Sequence, residues 1–396
     1  MRFLKKILKK ILPHKVYDFL FDMRYLLPAL FFSVLPIQKN KVFITNYYGS
    51  DFGDNGKYIA LKLLEIEPDI DIVWCLRSNR KNHNVPKPIR VVKFQSLSAA
   101  KEMATAKVWI DNCRKTFRTH KREGQFYIQT WHGGPGIKKS EGDSIDALDE
   151  RYIKLAQKDS GMCDLMISNS TFVNEFFRRA CWYNGKILKC GSPRNDILYQ
   201  SPVEIKQKIK KIYDLPEDCH IFLYAPTFRK DFKQNKYNID ICSVTQSLEK
   251  RFGGKWFALL RLHPNLYNQK LLIGESEANV RNVSNYCDMQ ELLVTADCLI
   301  TDYSSSNMDY LLTYHPSFVY AEDINEYEQD RGFCFDLKEL PFPVATDNAT
   351  LCKNIENFDE DKFKKEVFQF IGNTGIIPTQ NASLEVAKYI KGILNN

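Results

Sequence analysis

The residues best suited to chemistry lie between Tyr127 and Lys139, where a β-type run leads to His132 in the sequence YIQTWHGGPGIKK. A histidine side chain takes or gives a proton near neutral pH. Three of the four residues after it are glycines, which let the backbone approach a ligand closely and present its N–H groups. With two lysines next in the chain, the segment suggests chemistry on a phosphate. A plain glycine-rich turn explains it equally well on its own.

Four other segments place charged or hydroxyl-bearing residues directly after a predicted strand. They are GSPRND (191–196), YAPTFR (224–229), RLHP (261–264) and TDYSSSNMD (301–309). An arginine's forked guanidinium suits phosphate, and strand alternation places Arg261 and His263 on one face. Ser304 or Ser305 can cap the next helix, whose N-terminus also suits phosphate. Asp309, one turn further on, can accept hydrogen bonds from ligand hydroxyls.

Each of these segments also has an ordinary structural interpretation. Arg194 is consistent with a solvated turn, Thr227 with a strand cap and His263 with a structural histidine. Arg229 adds a cation at the point where a ligand would enter. The segments gain weight together, because open α/β sheets bind ligands beyond the carboxyl ends of their strands.

Short apolar runs alternate with helical stretches from residue 41 onward, which predicts an α/β fold of two doubly wound, Rossmann-like domains facing a cleft. The predicted strands of the first half are Lys41–Asn46, Ile70–Leu76, Ile89–Val92, Val108–Asp111, Phe126–Thr130 and Leu165–Asn169. Those of the second half are His220–Ala225, Trp256–Leu262, Val280–Val283, Cys298–Thr301 and Ser317–Val319. A helix is predicted over Ser306–Tyr314, and an exposed connector over Ser201–Tyr213. The predicted units are residues 1–38, 39–200, 201–378 and 379–396.

The first 35 residues combine basic and apolar side chains. Within residues 1–12, apolar residues at helical spacing oppose Lys5, Lys6, Lys9 and Lys10, which is typical of a helix lying on an anionic membrane surface. Residues 16–35 are more apolar, but Asp18, Asp22 and Arg24 interrupt them, so peripheral attachment is favoured over a membrane span. Helices that merely pack on the protein's own body remain the alternative.

Composition bounds the class of protein. A chain of 396 residues that is 44% hydrophobic and 26% charged is globular and long enough for two to three domains. Its formal charge of +8 suits anionic partners. The eleven cysteines have no CxxC spacing, which favours reduced, buried thiols over disulfides or a zinc site. No Walker A, GxGxxG or HExxH sequence is present, and no basic-aromatic pattern favours nucleic acid.

Taken together, the motifs resemble those of the CDP-glycerol glycerophosphotransferase family, the teichoic-acid primases and polymerases. The resemblance covers most of residues 40–375, and its marks are TWHGGPGIKK, GSPRNDIL, YAPTFR, RLHP, ADCLITDYSSSNMD and DINEYEQDRGF. It implies a GT-B architecture and a CDP-activated polyol phosphate as donor. It also implies a lipid-linked saccharide or poly(polyol phosphate) acceptor at the cytoplasmic face of the bacterial membrane, in teichoic-acid or capsule-type polymer synthesis, with release of CMP.

The resemblance also implies roles for single residues. His132 matches the family's catalytic histidine. The donor contacts that it implies are Gly133, Gly134, Pro135, Gly136, Arg194, Pro226, Thr227, Arg261, His263, Ser304, Ser305 and Asp309. We add Arg229 to the donor-binding set and expect His263 to be a second catalytic residue. With Arg229, Arg261 and the helix start at Ser304–Ser305, His263 is expected to stabilise charge on the phosphoryl group. Gly134 and Pro135-Gly136 depart from the threonine and Pro-Leu that the family often has after His-Gly.

We expect a transferase in which His132 deprotonates the acceptor hydroxyl, with glycerol phosphate as the transferred group and without a cofactor or tightly bound metal. The alternatives are a ribitol phosphate transferase, a GT-B glycosyltransferase that uses a nucleotide sugar, and a non-catalytic assembly protein of this fold. A homo-oligomer also stays open.

Overall fold

The computed structural model of the protein describes residues 13–77, 85–115, 119–133, 136–200, 202–227, 238–262, 278–324 and 332–395. Within these ranges the chain forms two separate sheets, and every neighbouring pair of strands in them is parallel. The alternation of apolar runs and helical stretches in the sequence therefore predicted the class of fold correctly.

The first sheet has seven strands in the order β3-β2-β1-β4-β5-β6-β7. The strands are β1 Gln38–Thr45, β2 Asp71–Leu76, β3 Arg90–Lys93, β4 Ala106–Asp111, β5 Phe126–Gln129, β6 Leu165–Ser168 and β7 Lys186–Lys189. The order reverses between β1 and β4, which pair directly, so the carboxyl ends of these two strands border the crevice where such sheets bind ligands.

Helices cover both faces of this sheet. They are α1 His14–Phe32, α2 Asp54–Ile66, α3 Leu97–Thr105, α4 Glu150–Met162 and α5 Thr171–Arg179. Side chains alternate along each strand, so Ile44 and Trp74 pack in one core with α2, while Phe43 and Tyr127 pack in a second core with α5. The two cores fix the sheet, and with it the positions of its carboxyl ends.

Two short helices connect the sheets, α6 Asp196–Gln200 and α7 Val203–Ile212. The exposed connector predicted over residues 201–213 is only partly correct, because Ile209 and Lys210 of α7 are buried. The Lys210 ammonium donates hydrogen bonds to the carbonyls of Glu217 and Cys219, which explains how a lysine is tolerated there.

The second sheet has six strands in the order β10-β9-β8-β11-β12-β13. The strands are β8 His220–Tyr224, β9 Trp256–Leu260, β10 Val280–Asn282, β11 Cys298–Thr301, β12 Ser317–Tyr320 and β13 Val344–Ala345. Its helices are α8 Ile241–Phe252, α9 Met289–Thr295, α10 Ser306–Tyr310, α11 Asn348–Glu356 and α12 Glu360–Thr374. Here the order reverses between β8 and β11, so each sheet contributes one crevice.

The two ends of the described chain both pack on the first half. The last helix, α13 Ala382–Leu394, buries Val386 and Ile390 in the core that also contains α2. Helix α1 packs against α3, and Arg151 forms ion pairs with Asp18 and Asp22 of α1. Within the described ranges no helix is both long and apolar enough to cross a membrane, and the basic segment 1–12 lies outside these ranges.

Candidate active site

A cavity of about 450 Å³, the main cavity, lies between the two halves at the carboxyl ends of both sheets. The first half lines it with residues that include Asn46, Tyr47, Asp54, His132 and Arg194. The second half contributes Pro226, Thr227, Arg261, Ser304, Ser305 and Asp309. Eight predicted site residues therefore line one cavity, namely His132, Arg194, Pro226, Thr227, Arg261, Ser304, Ser305 and Asp309.

His132 is held in a defined tautomer. Its Nδ1 atom lies 2.5 Å from the main-chain oxygen of Asn112. A carbonyl oxygen only accepts hydrogen bonds, so Nδ1 carries the hydrogen and Nε2 keeps its lone pair. Burial lowers the pKa of His132, although the bond to Asn112 and the charge of Asp54 partly oppose this. The ring is therefore neutral at pH 7 and suited to accept a proton through Nε2.

Aromatic neighbours fix the plane of the imidazole ring. Trp131 stacks on it at a centroid distance of 4.9 Å, and Tyr47 approaches edge-on at 5.5 Å. Trp131 itself has a left-handed backbone, with φ of 54°, and its N–H donates to the side chain of Gln129. A strained, locally anchored residue beside the histidine is typical of functional sites, where packing maintains a geometry that the backbone alone disfavours.

A second cavity of about 260 Å³, the side cavity, lies on the other side of His132. It is lined by Gly133, Gly136, Lys138, Phe172 and Phe176, among others. Four residues line both cavities, namely His132, Thr227, Ser304 and Ser305. His132 therefore lies where two spaces meet, an arrangement that suits a reaction between two substrates.

Gly133 explains part of the glycine-rich signature. A Cβ atom added there would lie 3.3 Å from Oγ of Ser305, so the loop after His132 passes close to the second half. The loop also pairs with residues 332–334: Lys138 bridges to Phe333, and Cys334 donates to the carbonyl of Ile137. The end of the DINEYEQDRGF motif thus lies beside the histidine loop.

Arg194 is placed differently from the solvated turn or phosphate grip considered from sequence. Its side chain is buried and forms 2.7 Å ion pairs with Asp54 and with Asp309, and it donates to the carbonyl of His132 at 3.0 Å. The solvated-turn interpretation is wrong, because the guanidinium joins α2 of the first half to α10 of the second. Its charge is matched by two carboxylates, so Arg194 first of all positions the two halves and His132.

Asp309 belongs to the same network. Besides Arg194, it accepts hydrogen bonds from Asn195 at 2.8 Å and from Gln290 at 3.0 Å. Burial raises the pKa of Asp309, and the charge of Arg194 opposes the rise. The carboxylate lines the main cavity but already has protein partners, so its contact with ligand hydroxyls stays a prediction.

Thr227 and Asp302 follow β8 and β11 at the second crevice. The Asp302 carboxylate accepts hydrogen bonds from the N–H of Thr227 at 3.0 Å and from its hydroxyl at 2.9 Å. The ammonium of Lys138, from the histidine loop, donates to the same hydroxyl at 3.1 Å. This contact places a cation of the first half against the second half of the protein, at the border of the cleft.

Two expectations for the second half need correction. Strand β9 ends at Leu260, so Arg261 lies beyond the strand, where it lines the main cavity and donates to the carbonyl of Tyr286 at 2.7 Å. Helix α10 has five residues where nine were predicted, and a 3₁₀ turn follows it. So short a helix has little dipole. Its N-cap residue is Ser305, which makes no side-chain cap hydrogen bond, whereas the Ser306 N–H donates to Oγ of Ser304 at 3.2 Å.

Four predicted site residues lie outside the described ranges: Gly134, Pro135, Arg229 and His263. Most of DINEYEQDRGF, residues 325–331, lies outside them as well. Their roles stay predictions from the sequence. The described ranges contain no group of three or more histidine, cysteine, aspartate or glutamate residues arranged to hold a metal ion.

Sequence analysis missed several residues that shape the site. Asn46 and Asn112 directly follow the paired strands β1 and β4, and Asn112 orients His132. The sequence did contain a signal for them, because each asparagine directly follows an apolar run that forms a strand, and His132 follows such a run closely. By contrast, nothing local indicates that Lys57 of α2 would pair with Asp288 and Glu291 beside α9, at 2.5 and 2.6 Å.

Two Rossmann-like sheets with their crevices facing one cavity define a GT-B-like protein. In agreement, the structure of the wall teichoic acid polymerase TagF superposes on 99% of this chain and 98% of its own, with a TM-score of 0.82 and 26% identity. The predicted α/β, GT-B-like fold with parallel sheets is therefore confirmed.

The match to a family model is more specific. Residues 28–372 match the model of CDP-Glycerol:Poly(glycerophosphate) glycerophosphotransferase, and the chain belongs to this family of transferases. A teichoic acid poly(glycerol phosphate) polymerase of Staphylococcus epidermidis is 32% identical over 82% of this chain, which spans only 46% of that relative. A teichoic acid glycerol-phosphate transferase of Staphylococcus aureus is 29% identical over 90% of this chain and 91% of its own length.

Proposed function

We propose that the protein transfers glycerol phosphate from CDP-glycerol to a hydroxyl of a lipid-linked saccharide or poly(polyol phosphate) acceptor and releases CMP. The observation that carries the proposal is the position of His132, with Nε2 available as a base at the junction of two cavities. The names of the two staphylococcal relatives favour glycerol phosphate as the transferred group.

In the proposed reaction, Nε2 of His132 takes the proton of the acceptor hydroxyl as its oxygen attacks the β-phosphorus of CDP-glycerol. The bond between that phosphorus and the oxygen bridging to CMP breaks, so CMP leaves with the electron pair. General-base help of this kind is typically worth about 10²–10⁴-fold in rate. The neutral histidine is suited to this step because burial lowers its pKa.

The second half supplies groups that suit a diphosphate donor. Arg261 and the hydroxyls of Ser304 and Ser305 line the main cavity, and Lys138 reaches Thr227 at its border. Charge on the phosphoryl oxygens is best stabilised by such preorganised donors. We therefore assign the donor to the main cavity and the reacting end of the acceptor to the side cavity. Arg229 and His263 are expected to add cations there.

A side-by-side assay tests the proposal. Purified protein is given CDP-glycerol, CDP-ribitol or a UDP-sugar with a defined lipid-linked acceptor, and CMP or UDP release is measured with mass spectrometry of the product. CMP release and a mass increase of one or more glycerol phosphate units are expected with CDP-glycerol. Ribitol phosphate addition alone would favour the ribitol alternative, and UDP release would favour a glycosyltransferase. Turnover in excess EDTA tests the further expectation that no tightly bound metal takes part.

Peripheral membrane attachment through residues 1–35 is part of the proposal. Helix α1 exposes Phe19, Leu20, Leu27 and Phe31, while Asp22, Tyr25 and Ala29 face the protein. An apolar outer face following a lysine-rich segment suits an anionic bilayer surface. Deletion of residues 1–35, or glutamate at Lys5, Lys6, Lys9 and Lys10, should abolish sedimentation with anionic vesicles. Unchanged sedimentation would refute the attachment.

A further inference from the structure

A third cavity, of about 300 Å³, lies beneath α1 on the other side of the β1 and β4 strand ends from the main cavity. We call it the α1 cavity. Its walls are mostly apolar and include Tyr25 and Pro28 of α1, Phe43 and Cys75 of the sheet, and Ala100 and Met103 of α3. Its volume lies at the lower end of the range for ligand pockets, roughly 300–1,000 Å³.

The end of the α1 cavity at the strand ends is polar, and its charged residues Asp111, Arg114 and Lys115 are already paired, while Arg24 of α1 also lines the cavity. Lys115 and Asp111 form a 2.5 Å ion pair, and Arg114 pairs with Glu141 and Asp159. These charges are compensated by the protein, so the polar end does not act as a site for a free ion. The cavity therefore suits a ligand with a long apolar part and a polar end.

A single turn separates the α1 cavity from the active site. Tyr47 and Tyr48 both have left-handed backbones, with φ of 40° and 56°. Tyr47 lines the main cavity and packs on His132, whereas the next residue, Tyr48, lines the α1 cavity. On the neighbouring strand, Asp111 lines the α1 cavity and the next residue, Asn112, holds His132. The polar end of the α1 cavity is thus adjacent to the base.

The roof of the α1 cavity is the helix with the apolar outer face. Phe19, Leu27 and Phe31 are 58%, 59% and 71% exposed on the side of α1 away from the body. If that face contacts a bilayer, a hydrocarbon chain that leaves the bilayer reaches the cavity by passing only one helix. The next helix, α3, carries the exposed Leu97 at the border of the cavity.

We propose that the α1 cavity binds the hydrocarbon chain of the lipid-linked acceptor and directs the polar end of that lipid toward His132. The inference rests on the proposed function for the identity of the acceptor. The chain would pack between α1 and α3, with Pro28, Ala100 and Met103 as its contacts. The saccharide or polymer end would extend past the Tyr47–Tyr48 turn and along His132, so that its reacting end lies in the side cavity. Acceptors with long chains would then be preferred over acceptors with short ones.

Two variants with matched controls test this inference. Ala100→Phe fills the cavity and Leu97→Asp places a charge at its border, while Ser98→Phe and Ser98→Asp make the same changes at an exposed neighbour that does not line it. KM is measured in detergent solution for two acceptors with the same saccharide, one on a long polyprenyl chain and one on a short, water-soluble alkyl chain. Loss of contact with about two methylene groups weakens binding about tenfold, so the two cavity variants should raise KM for the long-chain acceptor by about that factor. KM for the short-chain acceptor, kcat and both controls should stay at wild-type values.

Direct binding separates this inference from the proposed function. Titration of wild-type protein with dodecyl phosphate should show saturable binding that Ala100→Phe and Leu97→Asp weaken and the Ser98 variants do not. If no nucleotide donor gives turnover but the probe binds in this pattern, the proposed function fails and the cavity assignment stands. Equal KM changes for both acceptors, or no KM change in either cavity variant, would overturn the assignment to the acceptor lipid. The assignment would also fail if dihexanoyl phosphatidylglycerol displaced dodecyl phosphate as effectively as the long-chain acceptor does.

Discussion

The two halves of the molecule share one topology but bring different chemistry to the cleft. In both sheets the strand order reverses at the fourth strand, between β1 and β4 in one and between β8 and β11 in the other. At the first reversal a backbone carbonyl fixes the tautomer of a neutral histidine. At the second, Arg261 and the hydroxyls of Ser304 and Ser305 line the space assigned to the donor. The two halves therefore differ in the few residues that follow each strand, which carry the proposed base in one half and the proposed binding site in the other. The sheets that present these residues have the same topology.

The halves also differ in how they are joined at the site. Arg194 and Lys57, both from the first half, are matched by carboxylates of the second: Asp309 for Arg194, and Asp288 and Glu291 for Lys57. These pairs are largely buried, so removal of one partner leaves an uncompensated charge. The position of His132 relative to the donor space therefore depends on electrostatic contacts between the halves.

The largest expected effect comes from removing the base. His132→Ala should lower kcat by about 10²–10⁴-fold, because the proton acceptor is lost. The KM for CDP-glycerol should change little, since Arg261, Ser304 and Ser305, the contacts assigned to the diphosphate of the donor, are unchanged. Steady-state kinetics of CMP release measure both values. His220→Ala is the control, because His220 begins β8 at the far end of the sheet. Near-normal turnover in His132→Ala would show that His132, and with it the first half, does not supply the base.

The next effect breaks the link between the halves. Arg194→Ala leaves Asp54 and Asp309 buried without their partner, and loss of a buried pair typically costs about 3–5 kcal/mol of unfolding free energy. Arg179→Ala removes an exposed pair with Asp143 and should cost no more than about 1 kcal/mol. Urea unfolding of both variants measures the difference. Equal stabilities would show that Arg194 does not join the halves energetically.

A smaller effect appears in acid. Burial raises the pKa of Glu291, but Lys57, Lys208 and Tyr286 outweigh burial and hold it at about 2. Its folded pKa is below the usual 4.5, so the carboxylate stabilises the fold above pH 4.5 and loses this effect as pH falls toward 2. Wild-type protein should lose more stability between pH 4.5 and 3 than Glu291→Gln, as measured by denaturant unfolding. Parallel losses in the two proteins would contradict this account of the contact between the halves.

The smallest effect concerns a single hydroxyl of the second half. Ser305→Ala removes one donor from the border of both cavities, and a neutral hydrogen bond is worth about 0.5–1.5 kcal/mol. The KM for CDP-glycerol should therefore rise about 2–10-fold, with kcat nearly unchanged. Ser33→Ala, at the exposed end of α1, serves as the control. A decrease in kcat with an unchanged KM would instead indicate that Ser305 acts in the chemical step together with His132.

Local patterns predicted the elements of the site better than the contacts between them. His132, Thr227, Ser304 and Ser305 were found because each follows a predicted strand, and parallel strands bring such positions to one edge. The ion pairs of Arg194 with Asp54 and Asp309 were not foreseen, because these partners are more than 100 residues distant in the chain. Pairings of this kind depend on how the two sheets face each other, and no local period or spacing encodes that.

The ends of helices also show how far local sequence patterns can predict the structure. Ser306–Tyr314 was predicted as one helix from composition alone. In the structure Tyr314 adopts a left-handed backbone with φ of 57°, and the α-helical hydrogen bonding of α10 ends at Tyr310. Tertiary packing decided this end, since Tyr310 and Leu311 are fully buried in the core of the second half.

The central claim is that His132, neutral and fixed through Nδ1, is the base. It is tested most directly by measuring two pH dependences on the same protein. One is the titration of the His132 ring by NMR, assigned by comparison with His132→Ala, and the other is kcat/KM for CDP-glycerol. Because burial lowers its pKa, His132 should titrate below the usual 6.5, and activity should decline with falling pH along the same curve. An acidic limb of kcat/KM that does not coincide with the titration of His132, or a pKa of His132 above 6.5, would contradict the account.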